Sequence, residues 1–156
     1  MERVSDVAAA VESTVESLLA VLDTARLAQS PAVPPAQLRV LTIIANNRDT
    51  NMSRLAEALD VVPSSASRLC DRLEATGLLR RAPDPQDRRE VRLLPTPAAR
   101  RLLDDLRERR RSALAAVLGK MSPGSRQDLV RALNAFDMAA TLQDDGGETS
   151  ADMRSA

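Results

Sequence analysis

Small and apolar side chains recur near the start of the chain at Val4, Ala8, Val11, Val15, Leu18, Leu22 and Ala25, in alternating steps of four and three. That spacing draws one apolar seam along a long helix, with Glu2, Asp6, Glu12, Glu16 and Asp23 lying off it. A short following segment cannot cover such a seam alone, so a partner subunit is favoured over packing only within the chain. Ser30 to Pro35 breaks the helix, and Pro35 suits the first turn of a second one. Leu38, Leu41, Ile44 and Ala45 give that second helix its inward face, and it ends near Asn46 and Asn47. A polar turn from Arg48 to Asn51 leads into a short third helix, with Leu55, Ala56 and Leu59 inward and its end at Asp60. A fourth helix begins at Pro63.

Two short helices joined by a tight turn, the second longer, form a helix-turn-helix pattern. At about 100° per residue, Val62, Ala66, Leu69 and Leu73 line one side of the fourth helix. Ser64, Ser67, Arg68 and Asp71 lie opposite, and Ser65 and Arg72 flank the core face. Hydroxyls and an arginine in the first two turns suit a helix that enters a major groove by its N-terminal half. The same residues also fit a solvated helix face, because serine is favoured near helix starts. Gly77 is placed to stop the helix in a left-handed conformation. Two apolar segments, Leu78 to Ala82 and Val91 to Leu94, then flank the loop Pro83 to Glu90 and predict a β-hairpin with Arg88 and Arg89 at its tip. Such a tip fits a minor groove, whose negative potential attracts arginine.

Thr96 and Pro97 read as a cap and a first-turn proline that start a helix through about Leu118. Its inward positions are Leu102, Leu103, Leu106, Ala113, Leu114 and Val117. Arg107 to Arg111 interrupts this face, and Asp104, Asp105 and Glu108 are available to pair with those arginines as a solvated stretch. Ser122 and Pro123 repeat the start signal for a last helix marked by Leu129, Leu133, Phe136 and Ala140. The acidic, glycine-containing segment 144–156 is predicted to be disordered.

Composition narrows the function. A chain of 156 residues, 44% hydrophobic and 28% charged, suits one soluble domain. No apolar run approaches the roughly 20 residues of a membrane span, and the first residues lack a signal-peptide layout, so a cytoplasmic protein without membrane contact is expected. Net charge is zero, yet residues 62–101 hold nine basic against five acidic side chains, a net +4 between acidic ends. A basic middle is the electrostatic footprint of a duplex-binding domain. There is no histidine, one cysteine and no phosphate-cradling glycine loop, so no enzyme, cofactor or metal site is expected. Cys70 has two readings: a small apolar residue near the buried face of the fourth helix, or a redox-active thiol.

The order of these elements, mainly α with a small β-hairpin wing, resembles the MarR family of winged helix-turn-helix transcriptional regulators. The resemblance covers roughly Val4 to Leu142 and is most specific along Leu55 to Leu59, Pro63 to Leu69, Asp71 to Glu74, Gly77 to Arg81 and Pro83 to Arg89. It implies residues 35–94 as the winged helix-turn-helix and residues 4–30 and 97–142 as intertwined dimerisation helices. It further implies a homodimer on double-stranded DNA, a repressor role, a pseudo-palindromic operator and, in many relatives, release by a small-molecule effector. Recognition-helix contacts then fall on Ser64, Ser65, Ser67 and Arg68. The wing motif falls on Asp87 and Arg89, with Asp87 directing an arginine and Arg89 in the minor groove, while Arg88 and Arg92 sit near phosphates.

This chain departs from the family pattern in three places. Val62 stands where a small polar cap is usual, a glycine common after the wing is absent, and no Tyr, Trp or His is present to line an effector cleft. Phe136, the sole aromatic, is expected in the dimer core. Oxidant-sensing relatives tend to carry the reactive cysteine near the first helix, which favours the structural reading of Cys70. The alternative function is a helical dimeric protein-interaction module that does not bind DNA, motivated by the zero net charge and the acidic ends.

Overall fold

The computed structural model describes residues 3–28 and 32–145. The elements follow in the order α1 (Val4–Leu27), α2 (Pro35–Asn46), α3 (Met52–Leu59), α4 (Pro63–Ala75), β1 (Leu79–Pro83), β2 (Val91–Pro95), α5 (Pro97–Leu118) and α6 (Pro123–Asp145). The described residues fall into two compact units, one ending at Ala113 and one beginning at Leu114, the division falling within α5. Among the described residues no helix is long and apolar enough to cross a membrane.

The core of the first unit is built where three short helices converge on the strands. Leu38, Val40, Leu41 and Ile44 of α2 meet Leu55, Ala56 and Leu59 of α3 and Ala66, Cys70 and Leu73 of α4. Leu79 of β1, Leu93 of β2 and Ala99, Leu103 and Leu106 of α5 complete it. Val40 and Ala99 were not among the expected inward positions, whereas Ala45 is only half-buried. At the far end of α5, Val117 was expected inward and is exposed.

Local chemistry fixes where these helices stop. Asn51 caps α3 by accepting the Arg54 backbone N–H at 2.9 Å. Asp60 ends α3 in the left-handed region, with φ of 54°, and the Val61 N–H reaches back to the Ala56 carbonyl. Gly77 does the same for α4 at φ of 73°, where Leu78 N–H bonds to Leu73 O and Gly77 N–H to Glu74 O. Both ends thus close in the paired bonding of a Schellman turn, and only Gly77 does so without a side-chain penalty.

The strands pair antiparallel with Leu79 opposite Pro95 and Arg81 opposite Leu93. A bridge between Asn51 and Arg92, and the bond from Leu93 N–H to Thr50 O, anchor the hairpin on the α2–α3 turn. Thr50 is buried and its hydroxyl donates to Asn47 O at 3.0 Å, so the anchor hides no unpaired hydroxyl. Thr96 caps α5 by accepting the Ala99 N–H, and its hydroxyl donates to Gly77 O at 2.7 Å, joining the end of α4 to the start of α5.

The terminal helices differ. On α1, Ala25 is buried, but Val4, Val7, Val11, Val15, Leu18 and Leu19 stand exposed. On α6, Ser122 caps the first turn and Arg126 bonds the Leu118 carbonyl, yet Leu129, Leu133 and Phe136 are all exposed. Helix α6 runs through Asp145, so Asp144 and Asp145 are helical where disorder was expected. The remainder of that predicted tail, and residues 29–31 at the end of the first segment, lie outside the described residues.

Candidate nucleic-acid interface

The start of α4 is held by backbone alone. Val62 occupies the N-cap with an extended conformation and no side-chain bond, while Pro63 has no N–H to satisfy. Ser65 and Ala66 N–H groups both turn back to Val62 O. Because Val62 lies outside the helix, counting 100° per residue from it fails. The residue is 63% exposed, and the inward face runs through Ala66, Cys70 and Leu73 with Leu69 half-buried beside it. The opposite face opens at Ser64 and Arg68, which are exposed, and at Ser65 and Ser67, which are half-buried.

Cys70 is fully buried in this core. Burial pushes its thiol up to about 11, opposed by the nearby Arg81 cation and reinforced by Asp71 and Glu74. A thiol held that far above neutral pH and sealed from solvent is a poor nucleophile, so the redox candidacy of Cys70 is not supported.

In the wing loop, two aspartates fold the chain. Asp84 Oδ1 accepts the Gln86 and Asp87 N–H groups at 2.7 and 3.2 Å, and Asp87 Oδ1 accepts the Arg89 N–H at 2.9 Å. Asp87 therefore orients Arg89 through the backbone, where a bond to a guanidinium was expected. Arg88 and Arg89 are exposed at the tip, with no ion pair among the described residues.

The charge-assisted clamp belongs to Arg92. Its Nε donates to Asp84 Oδ2 at 2.5 Å and a terminal nitrogen reaches Asp49 Oδ1 at 3.0 Å. The Arg92 bond, with the Gln86 N–H second, holds the Asp84 carboxyl below the usual carboxylate range. Arg92, expected near phosphate, thus also braces the base of the wing through these two carboxylates.

A second arginine is likewise held by two carboxylates. Arg81 leaves β1 on the same face as buried Leu79 and donates to Asp71 Oδ1 at 2.7 Å and Glu74 Oε2 at 2.5 Å on α4. The signal was present in the two-residue alternation of the strand and in carboxylates spaced i, i+3 on one helix face. Between the start of α2, the C-cap of α4 and α5, a cleft of about 550 Å³ is lined by Val33, Pro34, Thr76, Leu78, Arg101 and Asp105, among others.

A two-stranded wing following a helix-turn-helix, with arginines on both that are unpaired among the described residues, defines a winged helix-turn-helix protein of the kind that engages nucleic acid. The chain belongs to the MarR family, a family of transcriptional regulators and not of enzymes: the family profile matches residues 33–91. A crystal structure of RV1404 from Mycobacterium tuberculosis superposes with a TM-score of 0.79 at 32% identity, covering 90% of this chain and 96% of that one. The HTH-type transcriptional regulator YfiV of Bacillus subtilis is 29% identical over 103 residues, 66% of this chain and 64% of its own length. MdtR of the same organism, an HTH-type transcriptional repressor, is 35% identical over 65 residues, 42% of each chain. These matches span less than two thirds of the length of either curated relative.

Proposed function

We propose that this chain is a sequence-specific regulator that binds double-stranded DNA as a homodimer on a pseudo-palindromic operator, in the cytoplasm, and represses transcription there. The observation that carries the reading is the division of labour among the arginines. Arg81 and Arg92 are spent on carboxylates within the fold, whereas Arg68 on the open face of α4 and Arg88 and Arg89 on the wing are uncommitted among the described residues. Ser64, Ser65 and Ser67 beside Arg68 are short enough for α4 to approach base edges in a major groove, while Arg89, aimed by Asp87, enters the adjoining minor groove. Arg88 supplies a phosphate contact.

The exposed apolar faces of α1 and α6 supply surface for a second copy, with residues 97–142 and the first helix as the dimerisation elements. A repressor role is in keeping with the relative MdtR. The cleft beyond the C-terminal end of α4 has mixed walls, with Val33, Pro34 and Leu78 beside Arg101, Asp105 and Arg109, and it reaches the C-cap of the recognition helix at Thr76. A small effector seated there would shift α4 and release DNA.

Selection of bound duplexes from a randomised pool, followed by titration of the enriched sequence at several salt concentrations, tests the reading. A recurrent two-fold symmetric site whose affinity falls steeply with salt is expected. Failure to enrich any sequence, or affinity indifferent to salt, would refute it.

A further inference from the structure

Asp71 poses an electrostatic problem on the proposed reading surface. It lies one turn beyond Ser67 and Arg68 on the open face of α4, and Glu74 follows one turn later. A bare carboxylate there repels phosphate. Asp71 is also three residues from Arg68, a spacing at which helical side chains pair, so it would draw that arginine away from DNA. In the structure Asp71 is neither bare nor paired with Arg68. Both carboxylates are instead bonded to a single guanidinium from another element, Arg81 of β1, at 2.7 and 2.5 Å. The Arg81 side chain is 30% exposed, and its neighbour Arg80 faces away on the opposite side of the strand.

We infer that Arg81 is a positioning residue for DNA binding: it neutralises Asp71 and Glu74 on the recognition helix and so keeps Arg68 free for the duplex. The inference rests on the DNA-binding reading above. A fork-shaped guanidinium suits the task because it engages two carboxylates at once, which an ammonium on the same stem does less well. Arg81 itself touches no DNA; it acts through Arg68 and through the charge it cancels.

Four proteins separate this role from a mechanical one: the wild type, Arg81→Gln, Asp71→Asn with Glu74→Gln, and all three substitutions together. Each is titrated with the duplex that the wild type selects, at low and high salt, with thermal melting as a check on folding. Arg81→Gln is expected to weaken binding by about tenfold at low salt, the gap narrowing as salt screens the unmasked carboxylates. The Asp71→Asn, Glu74→Gln protein, which has lost the tether but carries nothing to mask, should bind at least as tightly as the wild type. The triple variant should return close to wild-type affinity.

If the double variant is as weak as Arg81→Gln, the bonds act as a mechanical strut and the inference is wrong. It is equally wrong if the triple variant stays weak, which would mean that Arg81 contacts DNA directly, or if Arg81→Gln binds normally. Should Arg81→Gln fail to fold, the double variant decides by itself. A wild type that selects and binds no duplex would overturn the DNA-binding reading and this inference with it, whereas a binding wild type with an indifferent Arg81→Gln overturns the inference alone.

Discussion

Leu41, Leu55 and Leu73 of the helix-turn-helix lobe are sealed from solvent, whereas Val11 and Leu18 on α1 and Leu133 and Phe136 on α6 stand open to it. All of these residues belong to helices with a regular apolar stripe. In the lobe, short helices turn sharply at Asp60 and Gly77 and fold onto one another within a few residues, so each stripe finds its cover locally. The long terminal helices present stripes that the described chain leaves bare. Periodicity identifies the face of a helix that wants cover; loop length and turn chemistry decide whether the same chain can supply it.

The contrast is broken most forcefully by truncating one leucine on each side of it. Leu73→Ala should cost about 2–5 kcal/mol in denaturant unfolding, the range for a fully buried leucine whose site cannot collapse. Leu133→Ala, measured in dilute protein, should cost under about 1 kcal/mol because its side chain is already exposed. Equal losses would show that α6 is covered within one chain after all. Replacing Leu133 and Phe136 together by glutamate should convert the proposed dimer to monomer in sedimentation while leaving the lobe folded. A dimer indifferent to both charges would locate the partner surface elsewhere.

Cys70 tests the sealing of the lobe by pH. Its folded thiol sits near 11 against an ordinary value of 9.0, so its contribution to stability is intact below about 9 and is lost as pH rises through about 11. The chain has no tyrosine, and Lys120 is its lone lysine, so few other groups titrate in that window. Stability should decline between those values, and iodoacetamide should leave Cys70 unmodified at pH 8 until the protein unfolds. Rapid alkylation of the native protein would show that the core at α4 opens readily.

The smallest expected effect lies at the start of α4. Val62→Ser supplies the missing cap and should raise stability by about 1 kcal/mol in thermal melts. No gain would mean that the backbone turn at Ser65 and Ala66 already satisfies that end.

Most of the fold was legible because its signals are local: prolines at 35, 63, 97 and 123 open helices, Gly77 closes one, and the apolar spacing names the inward faces. The errors arose where a long-range partner determines the role. A helical count extended to Val62 points it inward, but its extended backbone sets it outside the helix. The ion pairs of Arg92 are not legible in the sequence because its two carboxylate partners, Asp49 and Asp84, come from separate turns that only folding brings together. Arg81 passed unnoticed for the same reason. Arg88 and Arg89 stood out because a loop tip needs no tertiary partner to present them.

The affinity of Arg89→Ala for the selected duplex tests the central claim most directly, since Arg89 is exposed, aimed by Asp87 and uncommitted within the fold. Binding should fall by about tenfold to a hundredfold, with dimerisation and melting temperature unchanged. Unaltered affinity would contradict the assignment of the wing as a DNA-reading element.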